Sequence, residues 1–239
     1  AGCVGAMYPM AYSIPQSFVQ IMEQAGVTYT NLGAEEWCCG YPLYGAGIEA
    51  RVAELAHHNI ERARDLEPGY LVTTCPSCYY TWNHIYPQYT EGPLGFDVLH
   101  ASQLLARLIR EGRIQLNELD WVVTYHDPCD LGRKSGVYDA PREVLARIPG
   151  LDFREMSACR ENALCCGGGG DVEISDNTVT TGVAGNRLAQ AQATGAKYVL
   201  SACQQCKRTL QEGARQNKIR VRAMDLVELV WRSISKGAK

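Results

Sequence analysis

Apolar residues along the chain fall into short β-rich runs separated by stretches at helical spacing. DWVVTYH (120–126) and KYVLSA (197–202) predict strands, each running toward a cysteine. LDFREM (151–156) alternates apolar and polar positions and predicts a further strand. Residues 140–148 carry helical spacing, with Pro141 suited to a first turn. Residues 178–194 predict a longer helix that Gly195 can stop. Strands alternating with helices imply parallel sheets assembled from βαβ units.

The pattern repeats. GYLVTTCPSCYYTW (69–82) matches AKYVLSACQQCKRTL (196–210), and WCCGYPLYGAG (37–47) matches LCCGGGGDVEI (164–174). After each CxxC an apolar segment leads into a helical stretch, DVLHASQLLARLI (97–109) and RVRAMDLVELVWRSI (220–234). Cys3 and Cys129 stand 126 residues apart, Cys38 and Cys165 127, and Cys75 and Cys203 128. So small a drift is that of a duplicated unit with minor loop changes. The expected fold is α/β: two pseudo-symmetric repeats, 1–112 and 113–239, each a small parallel sheet flanked by helices. A strand precedes Cys129, but only Ala1 and Gly2 precede Cys3, and Met does not open the chain. The first half is expected to lack its opening strand, and the chain to be the C-terminal part of a longer polypeptide.

The 239 residues suffice for a sizeable core, and 46% hydrophobic with 21% charged residues is ordinary globular composition. A net charge of −3, with lysines and arginines scattered, points away from nucleic acid as a partner. No apolar run reaches the roughly 20 residues of a membrane helix, and no secretory leader pattern opens the chain. That changes how the eleven cysteines are read. The adjacent pairs Cys38-Cys39 and Cys165-Cys166 sit badly with a disulfide framework, and cysteine-rich chains without a secretion signal more often bind metal or catalyse.

The first half reads Cys3-x34-Cys38-Cys39-x35-Cys75-x2-Cys78 and the second Cys129-x35-Cys165-Cys166-x36-Cys203-x2-Cys206. A lone CxxC is shared by zinc sites, redox dithiols and clusters. Five cysteines repeated at one spacing are far more specific. Zinc takes four ligands, whereas iron–sulfur clusters are built on thiolates and can use a fifth across several irons. The predicted strands put Cys75, Cys129 and Cys203, and by the repeat Cys3, at carboxyl ends, where α/β sheets bind ligands. Each CxxC opens a helix, whose N-terminal N–H groups favour thiolate and sulfide. Gly40 and Gly167 to Gly170 allow close approach of backbone amides.

With CCG at the middle of each set, and with YHDPCDLGR (125–133) and NALCCGGGG (162–170), the chain resembles the CCG (cysteine-rich) domain found in the catalytic subunit of heterodisulfide reductase and related iron–sulfur oxidoreductases. The resemblance covers essentially the whole chain. It implies two non-cubane [4Fe-4S] clusters facing a shared cavity and cleaving a disulfide between them. It also implies an oxidoreductase acting on sulfur groups that reduces or forms a disulfide. One departure is CCGYP in the first half where the second has CCGGGG. The alternative is an electron-transfer module between a flavoprotein dehydrogenase and a quinone or other acceptor; a zinc scaffold is the third class. Expected partners are a ferredoxin-like iron–sulfur domain or subunit, a flavoprotein or membrane-bound redox subunit and a small-molecule disulfide or thiol. Expected localisation is cytoplasmic, with membrane association through a partner.

Among other residues, His126 and Asp127 beside Cys129 are candidates for hydrogen bonding to cluster sulfur or for proton delivery, with a local turn cap the alternative. Cys159 has no counterpart in the first half and reads as a small filler or stray thiol. His57 and His58 read as surface residues of a helix, His100 as the start of one, and Tyr79, Tyr80 and Trp82 as core or wall. There is no Walker A sequence.

Overall fold

A computed structural model describes residues 2–235. In chain order the first half contains α1 (Cys3–Met7), α2 (Ser13–Gln24), α3 (Tyr41–Gly45), α4 (Glu49–Arg64), β1 (Tyr70–Thr73), α5 (Pro76–Tyr80), β2 (Asp97–His100) and α6 (Ala101–Arg110). The second contains β3 (Val122–His126), α7 (Asp139–Ala146), β4 (Asp152–Phe153), α8 (Val172–Ser175), α9 (Asn177–Ala193), β5 (Tyr198–Ser201), α10 (Gln204–Gln216), β6 (Arg222–Asp225) and α11 (Leu226–Ser235).

The ends of these elements have local causes. The Asp176 carboxylate accepts from the Thr178 and Val179 amides and caps α9, which stops before Gly195 at φ 76°. His100 caps α6: its Nδ1 accepts from the Ser102 amide, while the Gln103 side chain accepts from the His100 amide.

All strand pairs are parallel, and the two expected sheets form at unequal size. One has the order β1-β2, the other β4-β3-β5-β6. In the larger sheet Tyr125 faces Leu200 and His126 faces Ser201, so β3 and β5 end level and release Cys129 and Cys203 at one edge. In the smaller, Thr73 faces His100, and Cys75 leaves from the same end of β1. The strand expected over 151–156 is cut to two residues. It lies at the sheet edge, and beyond it Glu155 turns to accept from Arg142 Nε at 2.6 Å. Residues 25–27, where the repeat offset puts the β4 counterpart, form no strand; among the described residues no β3 counterpart stands there to pair with them.

The two sheets share one core. Ile14 and Ile21 of α2 belong to the same buried cluster as Leu229 and Val230 of α11, and Leu105 and Leu108 of α6 join Val144 and Leu145 of α7. A second buried cluster, around Leu188, Val199 and Leu210, belongs to the second half alone, and the shared cluster holds the edges carrying the cysteines at fixed mutual positions. No helix among the described residues is long and apolar enough to cross a membrane.

Candidate metal centres

All eleven cysteines are free thiols. In the first half, loop and helix starts gather Cys3, Cys38, Cys39, Cys75 and Cys78. Cys78 Sγ lies 3.5 Å from Cys39 Sγ, and Cys39, Cys75 and Cys78 form a buried cluster with Tyr41 packed against it. The Gly40 amide donates to Cys38 Sγ at 3.4 Å. Sharing of protons splits the set. Hydrogen bonds from Cys3 and Cys39 draw Cys38 down to about 2, and the same bond to Cys38, with burial, pushes Cys3 up. Cys75 falls to about 7, chiefly through Cys78 and then, against burial, the Cys78 and Ser77 amides. Thiols this crowded cannot all hold protons independently.

The second half gathers Cys129, Cys165, Cys166, Cys203 and Cys206. Cys166, Cys203 and Cys206 are buried; Cys129 is half-buried and Cys165 exposed. The Gly167 amide donates to Cys165 Sγ at 3.2 Å, and the Cys206 amide to Cys203 Sγ at 3.4 Å at the start of α10. Hydrogen bonds from Cys165 and Cys206 draw Cys166 well down; burial raises Cys129 to about 11. Gly167 and Gly168 here serve packing. A Cβ on Gly168 would lie 1.9 Å from Thr209 Oγ1, and one on Gly167, at φ 94°, would lie 2.7 Å from the Thr180 carbonyl oxygen. Gly169 has open space.

The two sets meet across the pseudo-symmetric interface. Asp130, which follows Cys129, accepts at Oδ2 from Ser77 Oγ (2.6 Å), between Cys75 and Cys78. Its Oδ1 accepts from Tyr41 OH (2.8 Å), two residues after Cys39. Lys134 Nζ lies 3.1 Å from that oxygen and donates to Tyr41 OH. In the reverse direction Gln204, between Cys203 and Cys206, donates to Thr74 Oγ1 at 2.5 Å, beside Cys75. The charge of Cys75 reaches Cys203, which Cys206 draws down while burial and Cys75 raise it, with a net upward shift. The sequence marked the cysteines; Asp130, Ser77, Tyr41 and Gln204 were legible only as neighbours of cysteines, and nothing in the sequence marks Arg187.

A ring nitrogen of His126 lies within 4.8 Å of the Cys166 and Cys206 sulfurs, and its Nδ1 accepts from Arg187 Nε at 3.0 Å. Asp127 points elsewhere: Arg142 grips both its oxygens, at 2.7 and 2.9 Å, and the Arg160 amide donates to Oδ2. Cys159 is half-buried beside Glu155, outside both sets, with its thiol raised by burial. His58 stacks on Trp37, and His57 is exposed. Tyr79 and Trp82 are buried and Tyr80 half-buried, so they form wall.

The donors fit iron–sulfur clusters. Each set offers five convergent thiols, more than tetrahedral zinc uses, and backbone N–H groups already point at sulfur.

The profile of the CCG cysteine-rich domain matches residues 1–83 and 123–211. The chain is 35% identical to the D subunit of the dihydromethanophenazine:CoB–CoM heterodisulfide reductase of Methanosarcina mazei, a match spanning all of this chain and 59% of that protein. It is 32% identical to the probable iron-sulfur-binding oxidoreductase FadF of Bacillus subtilis, over 98% of this chain and 33% of that one. To EtfAB:quinone oxidoreductase of Syntrophomonas wolfei it is 28% identical, over 98% of this chain and 34% of the relative. The chain thus spans little more than half, or about a third, of the length of these curated relatives.

Proposed function

The chain belongs to the CCG cysteine-rich domain family, and from that premise we propose that it is a heterodisulfide-reductase-like catalytic module with two [4Fe-4S] clusters of the non-cubane type. Cys3, Cys38, Cys39, Cys75 and Cys78 hold one; Cys129, Cys165, Cys166, Cys203 and Cys206 hold the other. The repeats 1–112 and 113–239 are the cluster-binding units. The substrate is a disulfide, and the reaction is R–S–S–R′ + 2 e− + 2 H+ → R–SH + R′–SH, or its reverse.

The observation that carries this reading is the meeting of the two cysteine sets through Asp130–Ser77 and Gln204–Thr74. Sets on opposite faces would favour simple relay. When bound, the clusters supply single electrons, two of which a disulfide requires. The protein's own groups do the rest. Burial of Cys39, Cys75, Cys78, Cys166, Cys203 and Cys206 excludes water, and the Gly40, Gly167 and Cys206 amides stabilise negative charge on sulfur. Lys134 Nζ, partly exposed, with Tyr41 OH and Asp130 forms a hydrogen-bonded row from solvent to the meeting point of the sets. That row is where a proton for a departing thiolate would be held.

Electrons are proposed to arrive from a ferredoxin-like iron–sulfur domain or subunit, on the same polypeptide or a partner, with a flavoprotein or membrane-bound redox subunit beyond it. Proposed localisation is cytoplasmic, with any membrane association through that subunit. The name of the Syntrophomonas relative favours a second reading, electron transfer to a quinone without a substrate of the module's own. The test is anoxic purification, iron and acid-labile sulfide analysis, then a disulfide reductase assay with a chemical donor. Clusters with thiol production support the first reading. Clusters without it support relay, and zinc without sulfide overturns both.

A further inference from the structure

Arg187 and His126 are both buried, at 0% and 1% exposure. Arg187 Nε lies 3.0 Å from His126 Nδ1. A guanidinium nitrogen can only donate, so Nδ1 accepts and the ring is the neutral tautomer with its proton on Nε2. The ring also lies against the sulfurs of Cys166 and Cys206, within 4.8 Å. One histidine and two cysteines at this span, taken alone, invite assignment as a metal site. The Arg187 contact speaks against it. A histidine ligates through a bare nitrogen, and the only bare nitrogen of this ring is occupied by Arg187.

The rest of the guanidinium is equally enclosed. Nη1 donates to the Ala158 carbonyl (2.7 Å) and to Gln190 Oε1 (2.6 Å), while Nη2 is buried without a hydrogen-bond partner among the described residues. A buried cation therefore stands one side chain away from Cys166. The first half is built differently. Asn59, 128 residues before Arg187, stands where the repeat places the counterpart. It is neutral, donating to the Cys38 carbonyl (3.1 Å) and to Tyr86 OH (2.8 Å), and Tyr86 OH donates to the Cys39 carbonyl. Those bonds hold backbone; they do not bring charge to sulfur.

We propose that His126 is a positioning residue for the second set and not a metal ligand: with its tautomer set by Arg187, its Nε2–H donates to the Cys166 sulfur, and this donor with the buried guanidinium makes the centre on the second set easier to reduce than the centre on the first. The physical cause is charge. Reduction adds an electron, and a nearby cation and an N–H···S bond stabilise the more negative state in a poorly screened interior. The order of reduction is thus built into the difference between Arg187 and Asn59. The inference rests on the proposed clusters.

The test uses the full chain, purified without oxygen, and begins with iron and sulfide content. Reductive titration followed by electron paramagnetic resonance then reads each centre, with Cys166→Ala identifying the signal of the second set. The second centre is expected to reduce at the higher potential. His126→Leu and Arg187→Met should each lower that potential and leave the first centre unmoved; His126→Gln, which keeps an N–H donor, should restore most of the shift. Because a substitution at a buried site can disturb folding, wild-type protein labelled with 15N-histidine supplies an independent measurement. A weak nitrogen coupling fits a hydrogen bond, and a strong coupling, from direct ligation, overturns the inference. So does an unmoved potential in a correctly loaded His126→Leu variant. Absence of iron in the wild type would overturn the proposed function instead.

Discussion

Ser77 Oγ donates a 2.6 Å hydrogen bond to Asp130 Oδ2, tying the interior of one CxxC to the residue after Cys129 in the other half. The two residues are 53 positions apart, and the bond fixes how the cysteine sets approach. Asp130 is buried and also receives Tyr41 OH and Lys134. Asp130→Ala leaves Ser77 and Tyr41 without their acceptor. It should cost about 1–3 kcal/mol in denaturant unfolding, and Asp130→Asn, which keeps one acceptor oxygen, should cost less.

Cys166→Ala should lower iron and acid-labile sulfide to about half the wild-type content, the share of one of the two proposed clusters. Cys159→Ala, outside both sets, should leave both contents intact. Equal loss in the two variants would remove the ligand assignment.

The glycine loop makes a prediction that separates neighbours. A Cβ at 168 would fall 1.9 Å from Thr209 Oγ1, whereas a Cβ at 169 meets nothing within 4 Å. Gly168→Ala should therefore cost about 1–3 kcal/mol through forced rearrangement against α10, with loss of iron from the second set. Gly169→Ala should match wild type in melting temperature and metal content.

His100 is fully buried, and burial pushes its pKa down to about 3. An unfolded histidine titrates near 6.5. Above that pH both states are neutral and the group contributes no pH dependence. As pH falls below about 6.5 the unfolded chain takes up a proton that the folded chain refuses, so stability falls by up to roughly 1.4 kcal/mol per pH unit until about pH 3. His100→Asn, which keeps a helix cap, should flatten the slope of unfolding free energy between about pH 6.5 and 5.5 relative to wild type. Parallel slopes in the two proteins would contradict this.

The local record in the sequence was enough for the repeat, the sorting of ten cysteines into two sets and most elements, because hydrophobic period and cysteine spacing are properties of short segments. The strand over 198–201, the helix that Gly195 stops and the CxxC helix starts all form where the periodicity puts them. Where a neighbour decides, the local reading ran out. The strand at LDFREM shrank because it is an edge strand whose Glu155 turns to Arg142. Of the glycines that suggested an approach to ligand, Gly167 and Gly168 are small because α9 and α10 press on the loop. Asp127, two residues before a cysteine in sequence, is spent on Arg142, while Arg187, 61 residues from His126, sets that histidine's tautomer. Those outcomes belong to tertiary structure because side chains remote in sequence meet only when helices and strands pack against one another. No period or spacing within one segment carries information about which buried donor will stand opposite it.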